Sequence, residues 1–246
     1  MSYTAPSPDT FPGIRDMYTL RTLFQTHLVK SQGIIYAGAH VGENVGAFLD
    51  AGFESVLCIE PNPEDFSQLE RHASARVRCV HAAVSDREGT SAYYMVPGVP
   101  TLNSLLKPDD EYWVKLVGKE MADAHAPTRV EVRTLRLDTA VERHGGGVPY
   151  NALYLNIQGG ELLALKGAPR TLEGLDTVFT EVNFDRRYEG CALFEEVDAF
   201  LRDQGFRLMY LEKFPHSGGQ HGEALYRRVS DLPTPGLVPL SELENR

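Results

Sequence analysis

Two glycines and a carboxylate within residues 34–63 have the spacing of a nucleoside-binding turn. A short apolar run leads into Gly38 and Gly42, and a second apolar run ends at Glu60. Glycine permits positive φ and a close approach of the backbone to a ligand, and a carboxylate about 20 residues further on suits a ribose diol. The pattern predicts a strand–turn–helix–strand unit of an α/β domain, with Glu60 at the tip of the second strand.

The same turn argues against a dinucleotide as the ligand. Counted from Gly38, the motif G-x-G-x-x-G requires glycine at the positions of His40 and Glu43. The Glu43 carboxylate would also repel a diphosphate that approached the turn. The ligand implied is therefore an adenosine without phosphates, and S-adenosylmethionine (AdoMet) fits this description.

The elements that must position this turn indicate one α/β domain with an insertion. We expect an arm and a helix in residues 1–32, the domain in 33–228 and a Pro-rich acidic tail in 229–246. Residues 90–136 break the alternation of strands and helices with two strand-like segments that carry a long loop. Loops of that length often bind ligands, so we expect this insertion to contact the substrate.

Composition limits the partners and the compartment. The 24 basic and 34 acidic residues give a formal net charge of −10, which argues against nucleic acid or an anionic membrane as the main partner. No apolar run reaches the roughly 18 residues of a membrane span, and the first residues lack the layout of a secretory signal. The three separated cysteines match neither a disulfide framework nor a zinc site. We therefore expect a cytoplasmic protein, whose oligomeric state the sequence leaves open.

Several short motifs follow one another along the domain. They are Gly38-Ala39-His40-Val41-Gly42-Glu43, Ile59-Glu60-Pro61-Asn62-Pro63, Ala83-Val84-Ser85-Asp86, Asn103-Ser104-Leu105, Thr134-Leu135-Arg136-Leu137-Asp138, Gln158-Gly159-Gly160-Glu161 with Leu165-Lys166-Gly167-Ala168, and the region 194–206. In this order they resemble the motifs of the FkbM family of AdoMet-dependent methyltransferases, over roughly residues 33–228. The resemblance implies an α/β, Rossmann-like class I methyltransferase fold, with a seven-stranded, mostly parallel sheet, helices on both faces and an inserted strand pair and loop. It also implies O-methylation of a hydroxyl on a sugar, polyketide or related small molecule.

Candidate site residues lie where open α/β sheets bind ligands, at the carboxyl ends of the strands. Glu181 and Glu161 are the ionisable candidates for a base that removes the hydroxyl proton, although Glu161 could instead stabilise a helix start. Ser85 and Asp86 could meet the adenine edge or simply form a turn. The other expected cofactor contacts are Gly38, Ala39, His40, Gly42, Glu43, Glu60, Asn62, Asn156 and Gln158, and the expected acceptor contacts are Ser104, Tyr112, Trp113, Asn183, His216 and His221. Tyr112 and Trp113 could equally be packing residues of the insertion, and no group of residues has metal-ligand spacing.

Two other functions stay open from the sequence. A nicotinamide-dependent oxidoreductase is disfavoured by the missing middle glycine and by the lack of a Tyr-x-x-x-Lys pair. A non-catalytic domain that binds AdoMet, or has lost it, is suggested by Tyr36 and Asn156, because the family often has aspartate at both positions. The acceptor itself is not named by the sequence.

Overall fold

The computed structural model of the protein describes residues 30–214 and 219–231. Nearly all of the arm and helix expected in residues 1–32, the expected acceptor contact His216 and the last part of the tail lie outside the described residues. Ten strands are present in the described part of the chain, and in chain order they are β1 (Gly33–Ala37), β2 (Ser55–Glu60), β3 (Val77–His81), β4 (Ala83–Val84), β5 (Gly89–Met95), β6 (Thr128–Leu135), β7 (Ala152–Leu155), β8 (Thr177–Asn183), β9 (Phe206–Lys213) and β10 (His221–Arg228).

Short α-helices connect these strands. In chain order they are α1 (Val45–Asp50), α2 (Pro63–Leu69), α3 (Asp110–Val117), α4 (Lys119–Ala124), α5 (Leu137–His144), α6 (Glu161–Lys166), α7 (Pro169–Gly174) and α8 (Phe194–Asp203). Turns of 3₁₀-helix occur at Glu70–His72, Pro100–Leu102 and Val229–Asp231.

The main sheet has seven strands in the order β3-β2-β1-β7-β8-β10-β9. β10 runs antiparallel to both of its neighbours, and the other pairs are parallel. Every residue of β1, β2 and β8 is buried, as expected for parallel strands that are covered on both faces. The predicted seven-stranded, mostly parallel class I methyltransferase sheet is therefore confirmed.

Alternate residues of the strands form two apolar layers. Ile35 and Ala37 belong to a cluster that includes residues of α5, α6, α7 and α8, whereas Ile34 and Tyr36 belong to a cluster with Phe48 of α1. The Tyr36 ring is 5.3 Å from those of Phe48 and Tyr154, and its hydroxyl accepts a hydrogen bond from Asn44 Nδ2 at 3.1 Å. Tyr36 is thus a core residue of the α1 layer.

The insertion forms a second sheet in the order β4-β6-β5, in which β5 and β6 are antiparallel. The predicted strand pair is confirmed, but the segment between the strands is not the plain loop that we expected. It contains α3 and α4, because Asp109 caps α3 by accepting a hydrogen bond from Tyr112 N at 2.8 Å and Gly118, with φ of 82°, separates the two helices. Trp113, Val96 and Ala122 form a small core inside this insertion.

Candidate functional site

The predicted polar residues form one row across the carboxyl edge of the sheet. The last paired residues are Ala37↔Ile59 between β1 and β2, and Leu155↔Thr180 between β7 and β8. Gly38, Glu60, Asn156 and Glu181 directly follow these four residues along the chain. Glu181 is in turn paired with Glu223 of β10, and Glu223 with Glu212 of β9. Carboxyl and amide side chains from β2, β7, β8, β10 and β9 are thereby brought to one edge, as the sequence predicted for the first three of these strands.

The backbone of the β1–α1 turn is occupied by hydrogen bonds to β2. Gly38 N and Ala39 N donate to Ile59 O at 3.0 and 3.1 Å, and His40 N donates to Glu60 Oε2 at 2.8 Å. A phosphate site needs several free amides that point at the ligand, and these three successive amides are already used. The turn is therefore suited to a nucleoside without phosphates, which agrees with the ligand inferred from the sequence.

Gly38 is required at this turn for a packing reason. Its φ is 76°, and a Cβ at this position would lie 1.8 Å from Asn156 O. Gly42 also has positive φ, at 92°, and a Cβ there would meet the His72 ring at 2.8 Å. Gly38 allows β1 to pass close to the end of β7, and Gly42 leaves room for the His72 ring. Contact of either glycine with a cofactor stays a prediction.

Glu60 is held rigidly at the tip of β2. Its Oε1 accepts from Asn62 N at 2.8 Å while Oε2 accepts from His40 N, and the residue is only 4% exposed. Burial raises the pKa of Glu60 to about 7, although these two hydrogen bonds act in the opposite direction. Each carboxylate oxygen retains a second lone-pair site, so Glu60 can still accept hydrogen bonds from the two hydroxyls of a ribose.

Asn62 is placed by the start of α2. Its Oδ1 accepts from Glu64 N at 3.1 Å, which caps the helix, and its Nδ2 donates to Asp65 Oδ2 at 2.5 Å. These contacts use the Asn62 amide within its own turn. Asn62 therefore shapes the backbone that binds Glu60, and a direct cofactor contact of its side chain is untested.

His40 and Glu43 form an ion pair on the same turn. His40 has a left-handed backbone with φ of 47°, and its Nδ1 lies 2.5 Å from Glu43 Oε1. Burial lowers the pKa of His40, but the hydrogen bond and charge of Glu43, with the charges of Asp65 and Glu60, raise it overall. For Glu43, burial raises the pKa. The hydrogen bond and charge of His40 outweigh the effect of burial, so the pKa of Glu43 is lowered overall. This pair lies beside the carboxylates of Glu60 and Asp65.

Glu181 is the centre of a second polar network, at the tip of β8. Its Oε1 accepts from Arg187 Nη1 at 2.6 Å and its Oε2 from Gln158 Nε2 at 2.8 Å, and Glu181 and Arg187 are 4% and 5% exposed. Burial raises the pKa of Glu181, although the Arg187 charge and both hydrogen bonds lower it. Asn183 Oδ1 lies at the border of this network, 3.5 Å from Arg187 Nη1.

Gln158 connects three segments of the chain. Its Nε2 also donates to Asn156 Oδ1 at 2.6 Å, its Oε1 lies 3.1 Å from the Tyr188 hydroxyl, and its backbone carbonyl accepts from Ser104 Oγ at 2.7 Å. The backbone of Gln158 has φ of 55°, which is unusual for a residue with a side chain. Three residues predicted from the sequence, Ser104, Asn156 and Glu181, are therefore brought together around a fourth, Gln158.

Glu161 stabilises the turn that presents Gln158. It is the first residue of α6, it is 2% exposed, and its Oε1 accepts from Ile157 N at 3.0 Å. Burial and then the charge of Glu181 raise the pKa of Glu161 to about 8. This placement agrees with the alternative role as a helix-start carboxylate, and a role as base is untested.

The insertion docks on the loop that follows β8. Asp109 N donates to Arg187 O at 2.9 Å, Glu189 N donates to Lys107 O at 2.8 Å, and Lys107 Nζ lies 2.8 and 2.9 Å from Asp110 and Glu189 carboxylate oxygens. A pocket of about 260 Å³, including its open mouth, lies at this junction. Its walls are formed by Val96, Leu102, Pro108, Tyr112 and Trp113 from the insertion, together with Arg187 and Tyr188.

Arg187 and Tyr188 were missed in the sequence analysis. The signal that could have found Arg187 is the burial of Glu181 in a strand, since a buried carboxylate requires a nearby cation and Arg186-Arg187 are the first basic residues after it. Tyr188 carries no comparable signal. Its position depends on the contact of its hydroxyl with Leu102 O, at 3.2 Å, across the insertion.

Other predicted residues lie apart from these networks. Ser85 N donates to Leu135 O at 2.9 Å and Ser85 Oγ donates to Asp86 Oδ1 at 3.2 Å, so both belong to the turn between β4 and β5. His221 begins β10 opposite Asn183, with its ring 5.2 Å from that of Phe214. The adenine contact of Ser85 and Asp86, and the acceptor contact of His221, stay predictions.

Two kinds of feature are not found in the part of the chain that the structure describes. Residues 30–214 and 219–231 contain no group of three or more His, Cys, Asp or Glu side chains placed to hold a metal ion. Within the same residues, no helix is both long enough and apolar enough to cross a membrane.

Comparison with known proteins identifies the family. Residues 37–208, well over half of the chain, match the methyltransferase FkbM domain. The chain is similar in structure to a 1,6-didemethyltoxoflavin-N1-methyltransferase from Burkholderia thailandensis (14% identity, 86% of this chain and 77% of that chain, TM-score 0.47). It is also similar to the magnesium protoporphyrin IX methyltransferase from Synechocystis PCC 6803 (9% identity, 86% and 77%, TM-score 0.46). These distant likenesses carry no argument about the reaction, and no curated protein matches the chain significantly.

Proposed function

The chain belongs to the FkbM family of AdoMet-dependent methyltransferases, and we propose that it transfers the methyl group of AdoMet to a hydroxyl of a small molecule. The observation that supports a hydroxyl acceptor is the buried carboxylate of Glu181, held by Arg187 and Gln158 at the carboxyl edge of the sheet. A hydroxyl is a weak nucleophile, and a base that accepts its proton contributes typically about 10²–10⁴-fold.

The order of the strands separates the two parts of this site. Glu60 on β2 and Glu181 on β8 are three strands apart, which corresponds to about 14 Å at the usual spacing of ~4.8 Å between strands. A nucleoside bound through its ribose at Glu60 would extend along β1 and β7 toward Glu181. The acceptor is then expected at the tip of β8, under the insertion.

The residues of the chain would orient and deprotonate the acceptor. AdoMet supplies an electrophilic methyl group on a sulfonium, and the protein must align the acceptor oxygen with it, which can contribute several kcal/mol. In our proposal Glu181 accepts the hydroxyl proton, because burial raises the pKa of its carboxyl above the ordinary value and makes it a stronger base. Gln158 and Arg187 would keep the Glu181 carboxylate in one orientation through their N–H groups.

A nicotinamide-dependent oxidoreductase is the less favoured function. The three amides of residues 38–40 are used by β2 and leave no cradle for the diphosphate of NAD. The non-catalytic reading drew on Tyr36, and that residue is a core residue in the structure. Asn156 takes part in the network with Gln158.

The first test is calorimetric titration of the whole protein with AdoMet, S-adenosylhomocysteine and NAD. We expect the two sulfur ligands to bind at micromolar concentration and NAD not to bind. Protein that binds AdoMet would then be incubated with matched alcohols and amines, and methylated products identified by mass spectrometry. Methylation of amines but not of alcohols would contradict the hydroxyl assignment, and failure to bind either sulfur ligand would favour the non-catalytic alternative.

A further inference from the structure

Cys58 and Cys79 lie side by side on neighbouring strands of the main sheet. The parallel register of β2 and β3 pairs these two residues directly, so their Cα atoms are separated by roughly the strand spacing of 4.8 Å. A disulfide requires Cα atoms about 4.4–6.8 Å apart. Both cysteines carry free thiols and pack in the same apolar cluster, on one face of the sheet. A bond between the two sulfurs is therefore within reach of the fold.

The two thiols differ in access and in acidity. Cys58 is 0% exposed, whereas Cys79 is partly exposed. When the Cys79 thiol ionises, it accepts a hydrogen bond from Cys58, and this contact lowers the pKa of Cys79 although burial raises it. The same hydrogen bond, together with burial, raises the pKa of Cys58. Because the thiolate is the nucleophile in thiol oxidation, Cys79 is the sulfur that reacts first and Cys58 the one that follows.

Cys79 also supports the end of α2. Its Sγ donates a hydrogen bond to Leu69 O at 3.6 Å, and Leu69 is the last residue of this helix. A Cβ added at Gly42 would lie 3.1 Å from Leu69 Cδ1, so Leu69 packs against the β1–α1 turn. At the other end of the helix, Asn62 is the N-cap residue, and its backbone N–H donates to Glu60 Oε1. The helix therefore connects Cys79 both to the β1–α1 turn and to the Glu60 carboxylate.

We propose that Cys58 and Cys79 form a disulfide when a hydroperoxide oxidises the protein, and that this bond weakens the binding of AdoMet. The Cβ atoms of paired residues are separated by roughly the strand spacing of 4.8 Å, which exceeds the separation of about 3.5–4.5 Å in a disulfide. The bond therefore draws Cys79 toward Cys58, and it removes the S–H group that donates to Leu69 O. The end of α2 then loses a contact that holds it against the β1–α1 turn. The effect on AdoMet rests on the assignment of Glu60 to the ribose, whereas the bond itself does not.

The oxidation needs one hydroperoxide and no other reactant. The Cys79 thiolate attacks one peroxide oxygen, the O–O bond breaks, and a sulfenic acid and hydroxide form. The proton that Cys79 released converts this hydroxide to water. The Cys58 sulfur then attacks the Cys79 sulfur, its proton passes to the departing oxygen, and the S–O bond breaks to release a second water. Both sulfurs are oxidised and both peroxide oxygens are reduced.

The first measurement detects the bond in the whole protein. Trypsin cuts after basic residues, so Cys58 and Cys79 fall in separate peptides, residues 31–71 and 79–87. Reduced protein is treated with hydrogen peroxide, the remaining thiols are blocked with iodoacetamide, and the unreduced digest is analysed by mass spectrometry. We expect these two peptides to appear as a linked pair, at the sum of their masses minus two hydrogens. The linked pair should disappear after treatment with dithiothreitol.

The second measurement is calorimetric titration of the reduced, oxidised and re-reduced protein with AdoMet. We expect oxidation to weaken binding by roughly tenfold, the value of one hydrogen bond to a charged group. Treatment with dithiothreitol should restore the affinity. Binding of S-adenosylhomocysteine should weaken in parallel, since both ligands carry the ribose.

Substitutions assign the effect to this pair. Cys79→Ser keeps a donor for Leu69 O and removes the sulfur that reacts first, so its AdoMet affinity should equal that of the reduced wild type and should not change with peroxide. Cys58→Ala removes the second sulfur, so no linked peptides should form, and dimedone should trap the sulfenic acid at Cys79 instead. Cys191→Ala, at the remaining cysteine, is the matched control and should respond to peroxide as the wild type does.

Two results would overturn the proposal. One is the absence of linked peptides at peroxide concentrations that already oxidise methionine, which would mean that the two thiols only pack. The other is linked protein with unchanged affinity for AdoMet, which would mean that the bond does not affect the cofactor site. Neither measurement uses a methyl acceptor, so both stand apart from the test of the hydroxyl assignment. Reduced protein that bound no AdoMet would count against the function and against the effect on the cofactor, and the linked peptides would still decide the bond.

Discussion

The two halves of the sheet edge are assembled in different ways. In the cofactor half, defined as His40, Glu60, Asn62 and Asp65, the hydrogen bonds join residues 20, 2 and 3 positions apart. In the acceptor half, defined as Ser104, Gln158, Glu181, Arg187 and Tyr188, several join residues 54, 23 and 30 positions apart. The first half lies within one continuous stretch of the chain, residues 40–65, whereas the second combines the insertion, the segment after β7, β8 and the loop after β8.

The two halves also differ in how charge is balanced. In the cofactor half, Glu60 and Asp65 lie near His40, and together with the adjacent Glu43 they raise the pKa of His40 overall. The acceptor half pairs Glu181 with Arg187, and farther along the same row Glu223 faces Glu181 without a cation between the paired residues. The carboxylates of the cofactor half suit a cofactor with positive charge. The Glu181–Arg187 pair of the acceptor half suits a carboxyl that must take up and release a proton.

The largest expected effect separates chemistry from cofactor binding. Glu181→Gln keeps the size of the side chain but cannot accept a proton, so we expect kcat to fall by about 10²–10⁴-fold. The affinity for AdoMet should stay within about twofold, because Glu60 lies three strands away. The measurement is single-turnover methyl transfer together with calorimetric AdoMet binding. Full turnover by Glu181→Gln would show that Glu181 is not the base. Glu195→Gln, on the exposed side of α8, is the control.

The converse effect is expected at Glu60. Glu60→Ala removes the carboxylate that we assign to the ribose, and loss of hydrogen bonds to a charged group, at about 1.5–3 kcal/mol, predicts AdoMet binding weakened by roughly 10- to 100-fold. At saturating AdoMet, kcat should change little. Calorimetry measures the affinity for AdoMet, and steady-state kinetics separate the change in KM for AdoMet from the change in kcat. Glu64→Ala, an exposed change at the start of α2, is the control. Wild-type affinity in Glu60→Ala would contradict the ribose assignment.

A smaller effect concerns the dependence of stability on pH in the row beside the acceptor half. Glu223 is 2% exposed, and burial, followed by the charges of Glu181 and Glu212, raises its pKa to about 8. Between its unfolded value, near 4.3, and about 8, folded protein holds a proton that the unfolded chain has released. The contribution of Glu223 to the free energy of unfolding therefore falls as the pH rises from about 4.3 to about 8.

Glu223→Gln removes this dependence, because the amide resembles the protonated acid and does not titrate. We expect its stability relative to the wild type to increase by about 1 kcal/mol or more between pH 5 and pH 8. Urea unfolding at pH 5, 6.5 and 8 measures the difference. Glu212→Gln, an exposed change in the paired strand, should show a weaker trend, and parallel pH curves for wild type and Glu223→Gln would show that Glu223 ionises normally.

The smallest effect tests the docking of the insertion. Lys107→Gln removes ion pairs to Asp110 and Glu189 that are partly exposed, and surface pairs contribute about 0–1 kcal/mol. We expect slightly lower stability and faster hydrogen exchange at Asp109 and Glu189, whose amides bond across the junction. AdoMet affinity should not change, since the cofactor half forms separately. Lys119→Gln, at an exposed residue of α4, is the control. Unchanged exchange would show that the backbone contacts suffice.

The cofactor half could be predicted from the sequence because its signals are local. Gly38, Glu60 and Asn62 lie within one strand–turn–helix–strand unit, where apolar runs define the strands and glycine defines the turn. The strand pair of the insertion was predicted for the same reason, whereas the seven-stranded sheet was implied by the resemblance to the FkbM family. Helices α3 and α4 were missed, because both are short and are stabilised by the cap at Asp109 and by the packing of Trp113.

The acceptor half shows where such prediction ends. Glu181 and Gln158 could be chosen as polar residues at strand ends, but their partners Arg187 and Tyr188 could not. Whether Tyr188 meets Gln158 depends on the path of the chain after β8 and on the docking of residues 107–109 against it. Glu223 was missed because its burial depends on how β10 is inserted between β8 and β9.

The sequence by itself determined the family, the class of fold and the acidic tip of β2, because these depend on the order of apolar runs, turns and motifs along the chain. Only the tertiary structure decided which side chains meet Glu181, which residues form the pocket, and that Tyr36 belongs to the core. The physical reason is that strand and turn formation depend on neighbours in sequence. A buried polar network instead requires partners from distant segments to arrive together with their hydrogen bonds satisfied.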